Sequence, residues 1–370
     1  MKKKLVSLFP IFFHDHYKFL SEQFDHSLIC DEKFTHLVPK NIEIKVIPLK
    51  AVSVLSFLHR KTQLSTPVYL KGLTQVLREE NPDYLVVTDF FQLFFWQCIL
   101  FIRGRKHIKL ILYSETKRLS RNLFPRFVMR YMLYLVTKTK AVSAIFTFTL
   151  QSYEFYTNYF QGTGIQIVLL PSPADTLSFS AKESGTHEIH SDLKVLMNAR
   201  FVTYKRHIDL LRAVKLVIEK GVSISVTLVG RDESGRLEVE QKINELGLRG
   251  VIKVIDPIPY QKLPDLYQSH DVLVLPSDNE AIGMVVPEAM ACGLPTITSD
   301  TVGANVYVKE GETGLIFKTG DYIALAEAIT KLKDASVRKN MGQAAREHIE
   351  GYSVEKMGAK FKEALLAIND

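Results

Sequence analysis

Two glutamates with seven residues between them, Glu280 and Glu288, bracket Gly283 directly after the apolar run 272–275. The run predicts a buried strand, and residues 284–291 predict a helix that opens where the glycine lies. A helix start offers unpaired N–H groups and partial positive charge, which suits a phosphate. Carboxylates cannot face that phosphate, but they can accept hydrogen bonds from sugar hydroxyls on either side of it. The segment reads as a socket for a molecule that carries both phosphates and hydroxyls, such as a nucleotide sugar.

Four stretches at predicted strand ends could supply the rest of such a site. The glutamate segment is one, with Ser277 just ahead of it. A second is Asn198-Ala199-Arg200-Phe201-Val202-Thr203-Tyr204-Lys205-Arg206. Cations at a helix start are electrostatically unfavourable, so Arg200 and Lys205 point to an anionic ligand: Arg offers a planar fork and Lys a point charge for a diphosphate. A third is Val229-Gly230-Arg231-Asp232, where Gly230 either lets backbone approach a ligand or simply turns the chain. In the fourth, 256–260, Pro257 and Pro259 form either a wall beside a base or an ordinary loop. His14 and His16 flank Asp15 after the first predicted strand, as an acceptor-side base or as plain loop histidines. The sequence contains no Asp-x-Asp pair and no metal-ligand spacing, so no metal is expected.

These loops need a frame. Near-continuous apolar runs at 4–9, 27–30, 43–48, 84–88, 109–113, 144–147 and 166–170 read as strands of a parallel sheet covered on both faces. Helices are expected at 66–80, with Thr66 as N-cap and Pro67 at the first position, and at 121–138. In the second half, 194–197, 225–229, 252–254, 272–275 and 295–298 read as strands. Helices are expected there at 205–220, 233–246, 261–269, 284–291, 322–335 and 338–349. Two doubly wound α/β domains follow, residues 1–178 and 193–352, joined by a polar linker at 179–192. Ligands in such sheets bind beyond the carboxyl ends of the strands, here in a cleft between the domains.

The chain has 370 residues, 46% hydrophobic and 24% charged, enough for two full cores. Three scattered cysteines imply no disulfide framework and a reducing, cytoplasmic setting. The start, Met1-Lys2-Lys3-Lys4 and an apolar run broken by Pro10, reads as a buried strand and not a signal peptide. Residues 90–102 carry Gln92 and Gln97 and are too short to span a bilayer. The net charge is +7, but residues 1–180 hold 23 Lys and Arg against 13 Asp and Glu, while 181–370 hold 24 against 27. The basic half is either an ordinary solvated surface or a face for an anionic membrane or a lipid-phosphate acceptor. The stretch 117–140, where arginines alternate with apolar residues, is either a membrane-surface segment or a packed amphipathic helix. No nucleic-acid motif accompanies the charge.

Taken together, these motifs resemble the retaining GT-B glycosyltransferases of family 4. The likeness rests on Ala199–Lys205, on Val226–Gly230 with its following charged helix, and on Leu275-Pro276-Ser277 through Glu280, Glu288 and Ala289-Met290-Ala291-Cys292-Gly293-Leu294-Pro295. Gly311-Glu312-Thr313-Gly314-Leu315 also fits the family's late loop. The resemblance implies that Arg200 and Lys205 hold the donor diphosphate and that Glu280 sits at the transferred sugar. It also implies that Ile282, Gly283, Met284 and Val285 present backbone to the phosphates, and that Glu288 binds the ribose. It implies a last helix, about 353–370, crossing back to the first domain. Where many members carry a histidine after a middle strand, this chain has Tyr113-Ser114-Glu115, which makes Glu115 an acceptor-side candidate beside His14 and His16. The expected activity is transfer of a sugar from a nucleotide-diphosphate sugar to a glycan or lipid-linked acceptor, with retention and without a required cofactor. An epimerase of the same architecture, or a non-catalytic sugar-nucleotide-binding protein, are the alternatives.

Overall fold

The computed structural model describes residues 2–8, 20–37, 44–53, 67–114, 116, 123–180 and 192–368. The chain divides into two compact units, Met1–Pro173 with Val354–Asp370, and Ala174–Ser353.

The first unit carries β1 (Lys4–Leu8), β2 (Asp25–Asp31), β3 (Lys45–Leu49), β4 (Ala51–Ser53), β5 (Val68–Leu70), β6 (Tyr84–Thr88), β7 (Lys109–Tyr113), β8 (Val142–Thr147) and β9 (Gln166–Leu169). Seven of these form a parallel sheet in the order β3-β2-β1-β6-β7-β8-β9, and β4 and β5 pair as an antiparallel ribbon. The apolar runs are buried, as two covered faces require: Val6, Leu8, Leu85, Val87, Leu110 and Leu112 are fully enclosed. The helix Leu93–Ile102 buries Phe94, Phe95, Cys98 and Phe101 in this core. No helix among the described residues is long and apolar enough to cross a membrane. The helix Val354–Leu366 belongs to this unit, and Phe361 packs edge-on against Phe146 at 5.4 Å between ring centres.

The second unit holds β10 (Leu193–Asn198), β11 (Ile224–Val229), β12 (Ile252–Ile255), β13 (Val272–Leu275), β14 (Thr296–Ser299) and β15 (Gly314–Phe317). All are parallel, in the order β12-β11-β10-β13-β14-β15. The α/β, doubly wound architecture expected from the apolar runs is therefore present in both units. The order reverses between β10 and β13. The chain leaving β10 returns through β11 on one side, the chain leaving β13 through β14 on the other, and the diverging loops open a crevice at the carboxyl ends.

Local differences from the sequence expectation have identifiable causes. Residues 66–80 are not one helix. Val68–Leu70 is a strand, Gly72 turns at φ +85°, and only Leu73–Glu80 is helical; Thr66 lies outside the described residues. The helix expected at 233–246 starts at Arg236, because the Asp232 carboxylate accepts from the Gly235 and Arg236 N–H groups and holds 232–235 as a turn. The late loop includes a strand, Gly314–Phe317, and Thr149 caps an unanticipated helix, Leu150–Tyr159. Ala174 and Phe179 are buried in the second core, so that unit begins ahead of the expected linker. Residues 181–191 of the linker lie outside the described residues.

Candidate functional site

The crevice between β10 and β13 gathers the residues singled out by sequence. Beyond β10 the strand ladder continues: Ala199 donates to Val229 (2.8 Å), Phe201 to Arg231 (2.9 Å), and Glu233 donates back to Phe201 (3.1 Å). Gly230 makes this possible. A Cβ there would stand 1.9 Å from the Ala199 carbonyl oxygen, so its neighbour is backbone of the adjoining loop. The continued ladder sets Arg200 beside Glu233. Arg200 Nη1 lies 2.8 Å from one carboxylate oxygen, Arg231 holds the other at 2.7 Å, and Arg200 Nη2 donates to the Tyr204 hydroxyl. These groups are largely solvent-facing. The bonds from Arg231 and Arg200 hold the Glu233 carboxyl below its ordinary range.

Lys205 ends a tight turn, Thr203–Lys205, and is only 8% exposed. Its ammonium bonds the Glu280 carboxylate across the crevice, 75 residues on in the chain. The backbone is clamped at the same place, with Asp278 N–H on the Tyr204 carbonyl at 2.6 Å. Asn279 sits at φ +60° with its N–H on Thr301 Oγ1 (3.1 Å), and the Glu280 carbonyl accepts from Gly303 (3.0 Å). Gly283 then turns at φ +86°. A Cβ there would meet Leu275, Val302 and the Glu280 side chain at 3.1–3.3 Å. Only glycine gives both the left-handed turn and the room.

The helix after it is Val285–Ala291. Val286 already donates to the Gly283 carbonyl (3.0 Å) and Glu288 to Met284 (3.2 Å). The Met284 and Val285 N–H groups, ahead of those bonds, donate to no backbone carbonyl among the described residues. Ile282, Gly283, Met284 and Val285 are all half-buried.

Glu288 lies on this helix and accepts from the Tyr267 hydroxyl at 2.7 Å; Asn198, at the end of β10, reaches the same hydroxyl at 3.3 Å. Burial pushes the Glu288 carboxyl up to about 7, against the opposing pull of the Tyr267 bond. Near neutral pH it therefore moves between a pure acceptor and a group that can also donate. Ser277, just after β13, is fully buried and its hydroxyl has no hydrogen-bond partner among the described residues.

The structure thus brings Arg200, Lys205, Glu280 and Gly283 to one crevice and places Gly230 beneath it and Glu288 on the adjoining helix. His14, His16 and Glu115 lie outside the described residues. No group of three or more His, Cys, Asp or Glu that could hold a metal occurs among the described residues. Sequence spacing gives no sign of Tyr267, which sits in a short helix of mixed composition, nor of Glu233, one charge among several in 231–240. The only available signal for Tyr204 was its place between the two cations.

Two doubly wound parallel units, with the functional loops at a switch point of the second, make this a GT-B fold. Solved structures share it. The Thermosynechococcus elongatus sucrose-phosphate synthase matches with a TM-score of 0.72 at 18% identity, over 98% of each chain. The Anabaena Alr3699/HepE protein in complex with UDP matches with a TM-score of 0.74 at 16% identity, over 99% of this chain and 100% of that one. At these identities the likeness is one of fold. The family model for glycosyl transferases group 1 matches residues 180–348. Among curated relatives, a D-inositol 3-phosphate glycosyltransferase of Corynebacterium diphtheriae is 34% identical over 150 residues, 39% of this chain and 35% of that protein. The Staphylococcus aureus capsular polysaccharide biosynthesis glycosyltransferase CapM is 33% identical over 177 residues, 45% of this chain and 44% of that one. The chain thus matches under half the length of each of these relatives.

Two outcomes follow from the geometry. Gly230→Ala forces Cβ into the Ala199 carbonyl, and a backbone shift there should cost about 3 kcal/mol or more, read as a fall in urea midpoint; an unchanged midpoint would contradict the packing. For Glu288, the folded-state pKa lies above its ordinary value of 4.5. Ionisation then opposes folding, and the stability present at low pH is lost as pH rises through about 7. Glu288→Gln lacks that loss, so its melting temperature relative to wild type should rise by about 2–5 °C between pH 5 and pH 8.5. A pH-independent difference would refute the shift.

Proposed function

We propose that the protein is a glycosyltransferase that moves a sugar from a nucleotide-diphosphate sugar to a hydroxyl acceptor. One observation carries this reading: within the stretch that the group 1 family model matches, the Lys205–Glu280 pair spans the β10/β13 switch point with Arg200 alongside. Each half of that pair neutralises the other. An arriving diphosphate offers Lys205 a second anion, and transfer of the ammonium to it releases the Glu280 carboxylate toward the hydroxyls of the attached sugar. Arg200, presented near the surface by Glu233 and Tyr204, adds a planar donor to the same phosphates. Charge builds on the leaving diphosphate as the glycosidic bond breaks, and fixed cations and the N–H groups of Met284 and Val285 stabilise it there.

Glu288 serves the ribose hydroxyls in this scheme, with Tyr267 orienting its carboxyl. Retention, implied by the family resemblance, follows if the acceptor attacks from the face the diphosphate leaves and gives it the proton. Transfer goes to a glycan or a lipid-linked acceptor, a class supported by the likeness to CapM, a capsular polysaccharide biosynthesis glycosyltransferase. His14, His16 and Glu115 are the proposed contacts on that side. A cytoplasmic setting accords with three cysteines that are all unpaired and buried.

Incubation with a panel of nucleotide sugars tests the activity. Release of nucleoside diphosphate is expected; an altered sugar would make the protein an epimerase, and binding without turnover a sensor. Lys205→Ala and Glu280→Gln should each lower turnover by about 10²–10³. Their binding should differ. Lys205→Ala weakens nucleoside diphosphate as well, whereas Glu280→Gln, by leaving Lys205 to the phosphates, binds it as tightly as wild type or tighter. Wild-type turnover in either variant would refute the roles.

A further inference from the structure

The helix Leu123–Thr139 lies on the first unit, far in sequence from the Lys205–Glu280 pair. Its inward face is ordinary: Pro125, Met129, Leu133 and Val136 are buried at helical spacing. Its opposite face is not. Phe124, Phe127, Tyr131 and Tyr134, spaced three, four and three residues apart, are 63%, 70%, 52% and 50% exposed, and Leu123 beside them is 84% exposed. At 100° per residue these five side chains fall in an arc opposite the buried stripe. A surface helix normally presents charged and polar groups there. Elsewhere among the described residues, large exposed apolar side chains are scattered singly, apart from Val52 and Tyr69, which pair across the β4/β5 ribbon.

The charges along this stretch of the chain are of one sign. Between Glu115 and Glu154 the chain holds seven Lys and Arg and no Asp or Glu. Arg126 and Arg130 are exposed along one flank of the aromatic arc, and Lys138 lies within it at its C-terminal end, its ammonium 5.5 Å from the Tyr134 ring centre. Lys117, Arg118 and Arg121 precede the helix outside the described residues.

We propose that this face seats on an anionic lipid bilayer, with the phenylalanines and tyrosines at the boundary of headgroups and acyl chains and the arginines on lipid phosphates. Two observations select this occupant. Aromatic rings backed by a row of cations are the side-chain set that suits a membrane interface. A second copy of the same face would instead bring two acid-free clusters of positive charge together, which opposes self-association. The inference rests on this surface alone and is independent of the transfer chemistry.

Vesicle flotation of the full chain tests it, with phosphatidylcholine vesicles compared with vesicles containing 30% phosphatidylglycerol. Binding to the anionic vesicles should exceed binding to the neutral ones by about tenfold or more and weaken at high salt. Phe127→Ser with Tyr131→Ser should abolish it, and Arg126→Glu with Arg130→Glu should reduce it about tenfold or more. Circular dichroism checks the fold, and nucleoside diphosphate binding in solution should be unchanged in both. A Phe127→Trp variant gives a second readout, because the chain has a single native tryptophan. Its emission should shift to the blue with anionic vesicles. Equal binding to both vesicle types, no binding at all, folded variants that bind like wild type, or a wild-type dimer dispersed by Phe127→Ser would each overturn the proposal.

Discussion

The second unit is organised around one ion pair whose members come from loops on opposite sides of a reversal in strand order. Lys205 is almost wholly enclosed, and an enclosed ammonium without a partner is costly. Glu280 supplies the partner, which ties the turn after β10 to the loop after β13. The backbone bond from Asp278 to Tyr204, the left-handed residue Asn279 and the crowded glycine at 283 all hold the chain in the path that this contact requires. Remove the reversal of strand order and the two loops no longer leave on diverging paths; remove the glycine and Glu280 is pushed from its place.

That arrangement gives the site a definite electrostatic state. The cations there already have carboxylate partners, Lys205 in Glu280 and Arg200, together with Arg231, in Glu233, so the crevice is not a patch of unpartnered charge. A ligand must offer enough at once to replace these partners: phosphate oxygens for the cations and hydroxyls for the released acid. A nucleotide sugar carries both. Selectivity would come from this exchange and not from net charge, which is slightly negative in residues 181–370. The excess positive charge sits in the first half, where it meets the aromatic face of the helix Leu123–Thr139.

Much of this was legible in the sequence, for a physical reason. Strands covered on both faces must be apolar along their length, so the runs that became β6, β7, β10, β11 and β13 stood out. Cations at a helix start are unfavourable without a ligand or a partner, and two glutamates bracketing a glycine after a buried strand can accept from sugar hydroxyls, so Arg200, Lys205, Glu280 and Glu288 also stood out. What the sequence did not show was pairing. The contact between positions 205 and 280 depends on the strand order. The role of Gly230 looked the same whether its neighbour was a ligand or the Ala199 carbonyl. Tyr267 resembled any buried aromatic residue of a short helix. The Thr66-Pro67 helix signal gave way to a strand because the aromatic and β-branched residues that follow find a partner in Ala51–Ser53, a pairing invisible to local propensity.

The central claim is that Lys205 passes from Glu280 to the donor diphosphate. A crystal structure with a nucleoside diphosphate bound tests it most directly. The account requires the Lys205 ammonium within hydrogen-bond distance of a phosphate oxygen and the Glu280 carboxylate turned away from it. A diphosphate bound elsewhere, with the Lys205–Glu280 contact intact, would contradict it.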